Sequence, residues 1–415
     1  MAAARYQSRE TILDIVRITP GGVSRSQLAH DLGVSRAAIT GLVNDLLARQ
    51  VLREIGSRTS NGGRRSVMLD LNPRAGRLLG IDIGATHITL VVTDLAAQVL
   101  GEVENPWAIE RGPEACLQQV DRLARELLRR TGGRPETPLR VIGAGVPGPV
   151  SEGQGLVTAP PIMPGWHGFP IRDRMQALWG KPVRLLNDAN LGALGEWAYG
   201  AARGIQDMVY IKVGTGIGAG LLIDGQIYRG LTGSAGEIGH LTIDENGPLC
   251  ACGNHGCLEA IAGGRAIALQ AQQAVSKGQR TQLSTIDPVE QITARDVAAA
   301  ARRGDLLSQQ ILTRAGSHIG IAIAGLVNMF NPGMIIIGGG VAQTGDILLE
   351  PMRQAVQRRS LPAATRVVRI TTAMLGRRSS SMGAVIQALS VALHHVADRK
   401  EVRLPQTARK SLVTE

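Results

Sequence analysis

Asp82-Ile83-Gly84-Ala85-Thr86 and Gly214-Thr215-Gly216-Ile217-Gly218-Ala219-Gly220 are two versions of one device. Each follows an apolar, strand-like run, Leu79 to Ile83 in the first and Met208 to Val213 in the second. Each then turns through glycine beside a threonine. Glycine lets the backbone approach a ligand closely, and a turn of backbone N–H groups with a hydroxyl makes a cradle for phosphate. Asp82 adds a carboxylate that could orient a metal-bound phosphate. Gly338-Gly339-Gly340, after the buried run Met334 to Ile337, offers a third such turn. One glycine-rich turn says little, because most of them only turn. Two, each opening a separate stretch of alternating strands and helices, carry more weight.

Outward from these turns the chain reads as α/β. Ile88 to Val92 pairs with Leu79 to Ile83 as a hairpin. Val141 to Ala144, Val183 to Leu186 and Ala219 to Ile223 are strand-like. Cys116 to Arg130 is an amphipathic helix, and Gln309 to Phe330 is a long apolar one. The 415 residues are enough for about two or three domains, and 44% hydrophobic residues are enough for a core. Aromatics are only 2%, which argues against nucleic-acid binding by base stacking. No run of about 18 apolar residues lacks charges or breakers, and Met1 to Glu10 has no apolar run behind its charges. A cytoplasmic protein without a membrane span is expected.

The net charge of +11 is unevenly spread. Residues 1–76 hold 11 Arg against 6 Asp plus Glu, a net of +5, and residues 399–415 add +3. The long stretch between them keeps only the remaining +3. The head has helical rhythm. Arg9 to Ile18 places Ile12, Leu13, Ile15 and Val16 on one face. Ser24 caps a helix carrying Leu28, Ala29 and Leu32, and Gly33 turns the chain. Ser35 then caps Arg36 to Arg49, whose inner face is Ile39, Val43 and Leu46. Val51 to Ile55 and Ser66 to Leu71 form a hairpin around a loop rich in Gly, Asn and Arg. This is the pattern of a winged helix-turn-helix. Ser35, Arg36, Ala37, Thr40, Gly41 and Asn44 form an outer face suited to base edges. Arg58, Arg64 and Arg65 are placed for phosphates or a minor groove, and Arg25 and Ser26 for the DNA backbone. A double-stranded DNA operator is the expected partner.

Asn187-Asp188-Ala189-Asn190 follows the strand Val183 to Leu186. Asp188 at the mouth of a cleft could take a proton from a substrate hydroxyl. Asn and Asp are equally at home as helix N-caps, so ligand binding and capping compete here. His240 and Cys250-Ala251-Cys252-Gly253-Asn254-His255-Gly256-Cys257 carry the sharpest chemistry. Three thiols and an imidazole, His240, Cys250, Cys252 and Cys257, satisfy a closed tetrahedral zinc site, which is a structural role. His255 competes as fourth ligand, but its place between Cys252 and Cys257 leaves it little reach, so His240 is preferred.

Together these motifs resemble the ROK family of repressors and sugar kinases. The resemblance runs from about Leu79 to Val391. It rests on the Asp82 and Gly214 turns, Asn187 to Asn190, Gly236-Glu237-Ile238-Gly239-His240, and the Cys250 to Glu259 segment. It implies a two-lobed, actin-like ATPase or sugar-kinase fold behind the winged head. The implied domains are 1–76, 77–395 and a flexible tail, 396–415. The lobes would be about 77–197 plus the C-terminal helix, and about 198–380. It implies a pocket for a sugar or sugar phosphate built from Asn187, Asp188, Glu237, His240 and Glu259, with the zinc-bound imidazole touching a sugar hydroxyl. Asp188 takes the place of the kinases' catalytic base. Asp82, Gly84, Thr86, Gly214, Thr215 and Gly216 would hold ATP and Mg2+ if that activity survives. Ala85 and His87 depart from the kinase pattern, which has Gly and Lys there. With its head, the chain resembles the family's sugar-responsive repressors, as a homodimer or dimer of dimers on the bacterial nucleoid. The alternative is an ATP-dependent sugar kinase.

Overall fold

The computed structural model describes residues 9–19, 21–58, 66–132, 137–158, 160 and 163–398. The chain divides into two compact units, residues 1–72 with 390–415, and residues 73–389. The fold is mixed α/β.

The first unit begins with α1 (Arg9–Ile18), which buries Ile12, Leu13 and Val16. Strand β1 (Val23–Ser24) leads into α2 (Arg25–Asp31) and then α3 (Arg36–Ala48). Both helices start on serine caps. The Ser24 hydroxyl accepts from the Gln27 N–H at 3.1 Å, and the Ser35 hydroxyl from the Ala38 N–H at 3.2 Å. Each satisfies a donor that has no partner within the helix. Ile39, Val43 and Leu46 are fully buried on the inner face of α3, as the spacing predicts. Strands β2 (Leu52–Arg58) and β3 (Ser66–Leu71) pair antiparallel, and β1 joins β3 on its other edge. β2 runs farther than the expected Val51 to Ile55. An irregularity between Glu54 and Ser57 absorbs Gly56, at φ +118°, and pairing then resumes at Ser57 and Arg58. The two-residue β1 escaped sequence reading because its pattern is too short to show a period.

The second unit contains two sheets. The first is built from β4 (Arg77–Ile83), β5 (His87–Asp94), β6 (Val99–Pro106), β7 (Leu139–Val146) and, after the small hairpin β8 (Val150–Ser151) and β9 (Leu156–Val157), β10 (Val183–Asn187). Its order is β6-β5-β4-β7-β10, antiparallel between the first three and parallel thereafter. Helices α4 (Pro113–Arg130) and α5 (Ile171–Trp179) supply the crossovers, and Leu117, Val120, Ala124 and Met175 join its core.

After α6 (Asp188–Tyr199) the second sheet repeats the plan with β11 (Met208–Val213), β12 (Ile217–Ile223), β13 (Gln226–Tyr228), β14 (Met334–Gly338) and β15 (Arg369–Thr372). Its order is β13-β12-β11-β14-β15, with the same sequence of antiparallel and parallel pairings. Between β13 and β15 come α7 (Leu258–Ala262), α8 (Gly264–Ser276), α9 (Ala294–Arg302), α10 (Leu306–Phe330), α11 (Asp346–Arg359) and α12 (Pro362–Thr365). Ile311, Leu312, Ile319 and Ile323 of α10 meet Leu348, Met352 and Val356 of α11 in one continuous core with Ile335 and Ile337 of β14.

The last helix, α13 (Ser379–Asp398), lies against the first sheet. It comes so close that a side chain at Gly80 or Gly143 would strike the carbonyls of Ser381 and Ala384. The helical backbone extends into residues expected in the tail, and 399–415 lie outside the described residues. Among the described residues no helix is long and apolar enough to cross a membrane.

Candidate functional site

Asn187, Asp188, Asp82 and Lys212 meet where the two sheets adjoin. Asn187 ends β10 and caps α6. Its carbonyl accepts from the N–H groups of Ala189 at 2.8 Å and Asn190 at 3.2 Å, and its amide nitrogen donates to the Gly148 carbonyl at 3.1 Å. Capping therefore occupies the Asn187 oxygen. Asp188, the first residue of α6, is freed from capping and turns its carboxylate to Lys212.

Lys212 was not among the residues expected from sequence. It stands in β11, and its Nζ donates to Asp188 Oδ2 at 2.9 Å, Asp82 Oδ2 at 3.2 Å and Ser380 Oγ at 3.3 Å. The Ser380 hydroxyl donates in turn to the Asp188 carbonyl at 2.8 Å, bringing the start of α13 into the cluster. Burial raises the Asp82 carboxyl above its usual range, against the pull of Lys212. Burial opposes the Lys212 charge too, but Asp188 and Asp82 outweigh it and hold the ammonium above the ordinary lysine value. His87, with Nε2 3.9 Å from Asp82, is pushed below the ordinary imidazole value, chiefly by burial. The Asp82 side chain is only 2% exposed and serves an ion pair inside the protein, because Lys212 fills the space in front of it.

The glycine turns themselves form as expected. Ile83 pairs with Ile88 and Val213 with Ile217, leaving Gly84 to Thr86 and Gly214 to Gly216 as the connections. Thr86 is exposed and Thr215 is partly so. The second turn is tied to the N-terminus of α8, whose Gly264 and Arg265 N–H groups donate to the carbonyls of Gly214 and Thr215.

From β12 the chain returns through Gly236 to a short 3-10 turn, Ile238–His240. This turn carries Glu237 and His240. Burial raises the Glu237 carboxyl; His240 opposes that shift, while Asp188 and Glu259 add to it. Glu259 sits in the first turn of α7 and accepts the Ile217 N–H at 2.9 Å. Only glycine at 216 leaves room for its carboxylate. Of the five residues expected to form a pocket, His240, Asp188 and Glu259 are near enough for their charges to act on Glu237, and Asn187 caps the helix that Asp188 begins.

His240, Cys250, Cys252 and Cys257 place one ligand atom each within 4.8 Å of all the others. Cys252 and Cys257 sulfurs are 3.6 Å apart, and Cys250 Sγ is 3.7 Å from His240 Nδ1. Four ligands at about 2.0–2.3 Å from a tetrahedral zinc have separations of this size. The Asn254 backbone N–H brings the Cys252 thiol down to about 7, toward the thiolate a metal needs. His255 is exposed and its Nδ1 faces the Gly247 carbonyl at 3.3 Å, outside the cluster.

In the N-terminal unit Ser35, Arg36, Ala37, Thr40, Gly41 and Asn44 are all exposed on α3. The Thr40 hydroxyl donates to the Arg36 carbonyl at 2.7 Å. Arg25 is engaged within the protein. Both of its terminal nitrogens lie 3.1 Å from Glu54 Oε1, and one reaches Asn44 Oδ1 at 3.4 Å. Arg58 closes β2, while Arg64 and Arg65 lie outside the described residues.

Known proteins match both the plan and the length of this chain. The "Xylose repressor" of Caldicellulosiruptor bescii is 32% identical over 370 residues, 89% of this chain and 92% of that protein. The crystal structure of a ROK family transcriptional regulator, described as a homologue of an Escherichia coli protein called MLC, aligns with a TM-score of 0.80 at 27% identity. It covers 95% of this chain and 99% of its own. A ROK family glucokinase from Streptomyces griseus, solved with glucose and AMPPNP, aligns with a TM-score of 0.66 at 29% identity. It covers 75% of this chain and 99% of its own, and places the two-sheet unit in the sugar-kinase fold. The family model matches residues 78–391, and the chain belongs to the ROK family.

Proposed function

We propose that this chain is a sugar-responsive transcriptional repressor. The observation that carries the reading is one of extent. Its likeness to a xylose repressor takes in 89% of the chain, whereas its likeness to a glucokinase takes in 75%. The exposed face of α3, with Asn44 and Arg36, supports base reading in a major groove. Residues 1–76 act as a winged helix-turn-helix on a double-stranded operator, and residues 77–395 bind the sugar. A homodimer, or a dimer of dimers, would present paired heads to half-sites one or more helical turns apart.

Asp188, Glu237, His240 and Glu259 offer a ring of acceptors and donors suited to sugar hydroxyls, held in place by Asn187. His240, Cys250, Cys252 and Cys257 hold zinc in a closed site. Zinc there supplies a fixed charge that locks the loop and the imidazole plane. A sugar that binds one arrangement of the two lobes better than another shifts the balance between them, and its differential affinity sets the size of the shift. The derepressed form leaves the DNA.

An electrophoretic mobility assay on the DNA upstream of the chain's own gene, run with a panel of pentoses, hexoses and their phosphates, tests this. A retarded band that one sugar releases is expected. The absence of any retarded band, with or without sugars, overturns the reading. The likeness to a glucokinase favours a second reading, an ATP-dependent sugar kinase, and ADP release on the same panel would reveal it.

A further inference from the structure

Lys212 stands where a metal-dependent phosphoryl-transfer site would need an ion. Mg2+ binds through one or two carboxylates plus waters and substrate phosphates. Asp82 and Asp188 are two such carboxylates, facing one another across the junction of the sheets. The space between them holds the Lys212 ammonium, 3.2 and 2.9 Å away. The backbone of Lys212 is fixed, because β11 is paired on one side with β12 and on the other with β14. The ammonium cannot swing aside without leaving Asp82 buried and unpaired, which is costly. Ser380 Oγ also accepts from the ammonium, at 3.3 Å. Both oxygens of Asp82 and Oδ2 of Asp188 already accept from the chain's own cation.

We infer that Lys212 is a built-in replacement for the divalent cation, and that it determines the specificity of the cleft. The corner of Asp82 and Asp188 takes no Mg2+-nucleotide, and Asp188 meets a sugar hydroxyl as a metal-free acceptor. The part concerning sugar rests on the repressor reading above; the exclusion of metal does not. Mg2+ and ATP therefore do not fit this corner as they would in a kinase.

Titration of Mn2+ alone into the zinc-loaded full chain, followed by electron paramagnetic resonance, tests the inference with no sugar or DNA present. Wild type and Asp82→Asn should bind Mn2+ equally weakly. Lys212→Ala should gain at least about tenfold in affinity, and Lys212→Ala combined with Asp82→Asn should lose that gain. A folded Lys212→Ala protein without the gain overturns the inference. So does a wild-type affinity that falls about tenfold on Asp82→Asn, since the metal would then share the corner with the lysine. If Lys212→Ala fails to fold, the comparison of wild type with Asp82→Asn decides alone. A chain whose operator no sugar releases would sink the repressor reading and leave the metal result standing.

Discussion

In the first sheet Asp82 stands one residue before the end of β4, opposite Thr89 of β5 and beside Gly145 of β7. In the second sheet Lys212 stands one residue before the end of β11, opposite Gly218 of β12 and beside Gly338 of β14. The two sheets share strand order and direction, so these are the same position in two copies of one plan. The copies differ in charge, and the difference joins them, since Asp82 and Lys212 bond to each other. Two aspartates there would repel; an aspartate and a lysine make a bridge. The neighbouring glycine is common to both copies, but it makes room for different groups: the Tyr210 ring at Gly338, and chiefly the tip of Leu191 at Gly145.

The largest effect expected from disturbing this comparison is at Lys212. Lys212→Ala leaves the buried Asp82 carboxylate and the half-buried Asp188 carboxylate without their shared cation and should cost about 3–5 kcal/mol in a denaturant melt. Combining Lys212→Met with Asp82→Asn should recover much of that loss. A double variant as unstable as the single would show that the pair is not the source.

Metal comes next, since among the described residues the His240 and Cys cluster lies beside the second sheet and the first sheet has no counterpart. Cys257→Ser should empty the proposed zinc site by elemental analysis. Removing a metal present at a hundred times its dissociation constant should cost about 2.7 kcal/mol. Equal thermal midpoints for wild type with and without chelator would contradict a structural role.

The paired glycines test the likeness more finely. A side chain at Gly338 meets the ring of the buried Tyr210, while one at Gly145 meets the tip of Leu191. Gly338→Ala should therefore cost about 2 kcal/mol, within the range for overpacking, and Gly145→Ala less. The reverse order in thermal melts would break the argument.

The smallest effect lies in the N-terminal unit. Glu54→Gln removes the exposed partner of Arg25 and should change stability by less than about 1 kcal/mol. It should strengthen operator binding, because Arg25 is released toward phosphate. Unchanged affinity at two salt concentrations would mean that Arg25 stays out of the contact.

What the sequence disclosed depended on distance along the chain. The Cys250 to Cys257 segment is legible because its three thiols lie within one short loop, and the glycine turns because strand, turn and strand are contiguous. The serine caps at 24 and 35 are local in the same way. Lys212 is one lysine in an apolar strand and reads as a solvated face. Its meaning comes from Asp82, which lies 130 residues away, and from Ser380, 168 residues away. The repeat of the two sheets is hidden for a related reason. It resides in pairing order and direction, while the residues at equivalent positions, aspartate and lysine, are opposites. Asn187 shows a different limit. Capping and ligand binding use the same amide, and only the positions of Ala189 and Gly148 show which groups it satisfies.

A cation carried on a side chain is present in one copy per molecule under every condition. A cleft that relied on Mg2+ and nucleotide would report the product of sugar supply and cellular energy charge. If Lys212 takes the place of that metal, as inferred above, occupancy of the cleft would follow sugar concentration alone and the protein would gauge one variable.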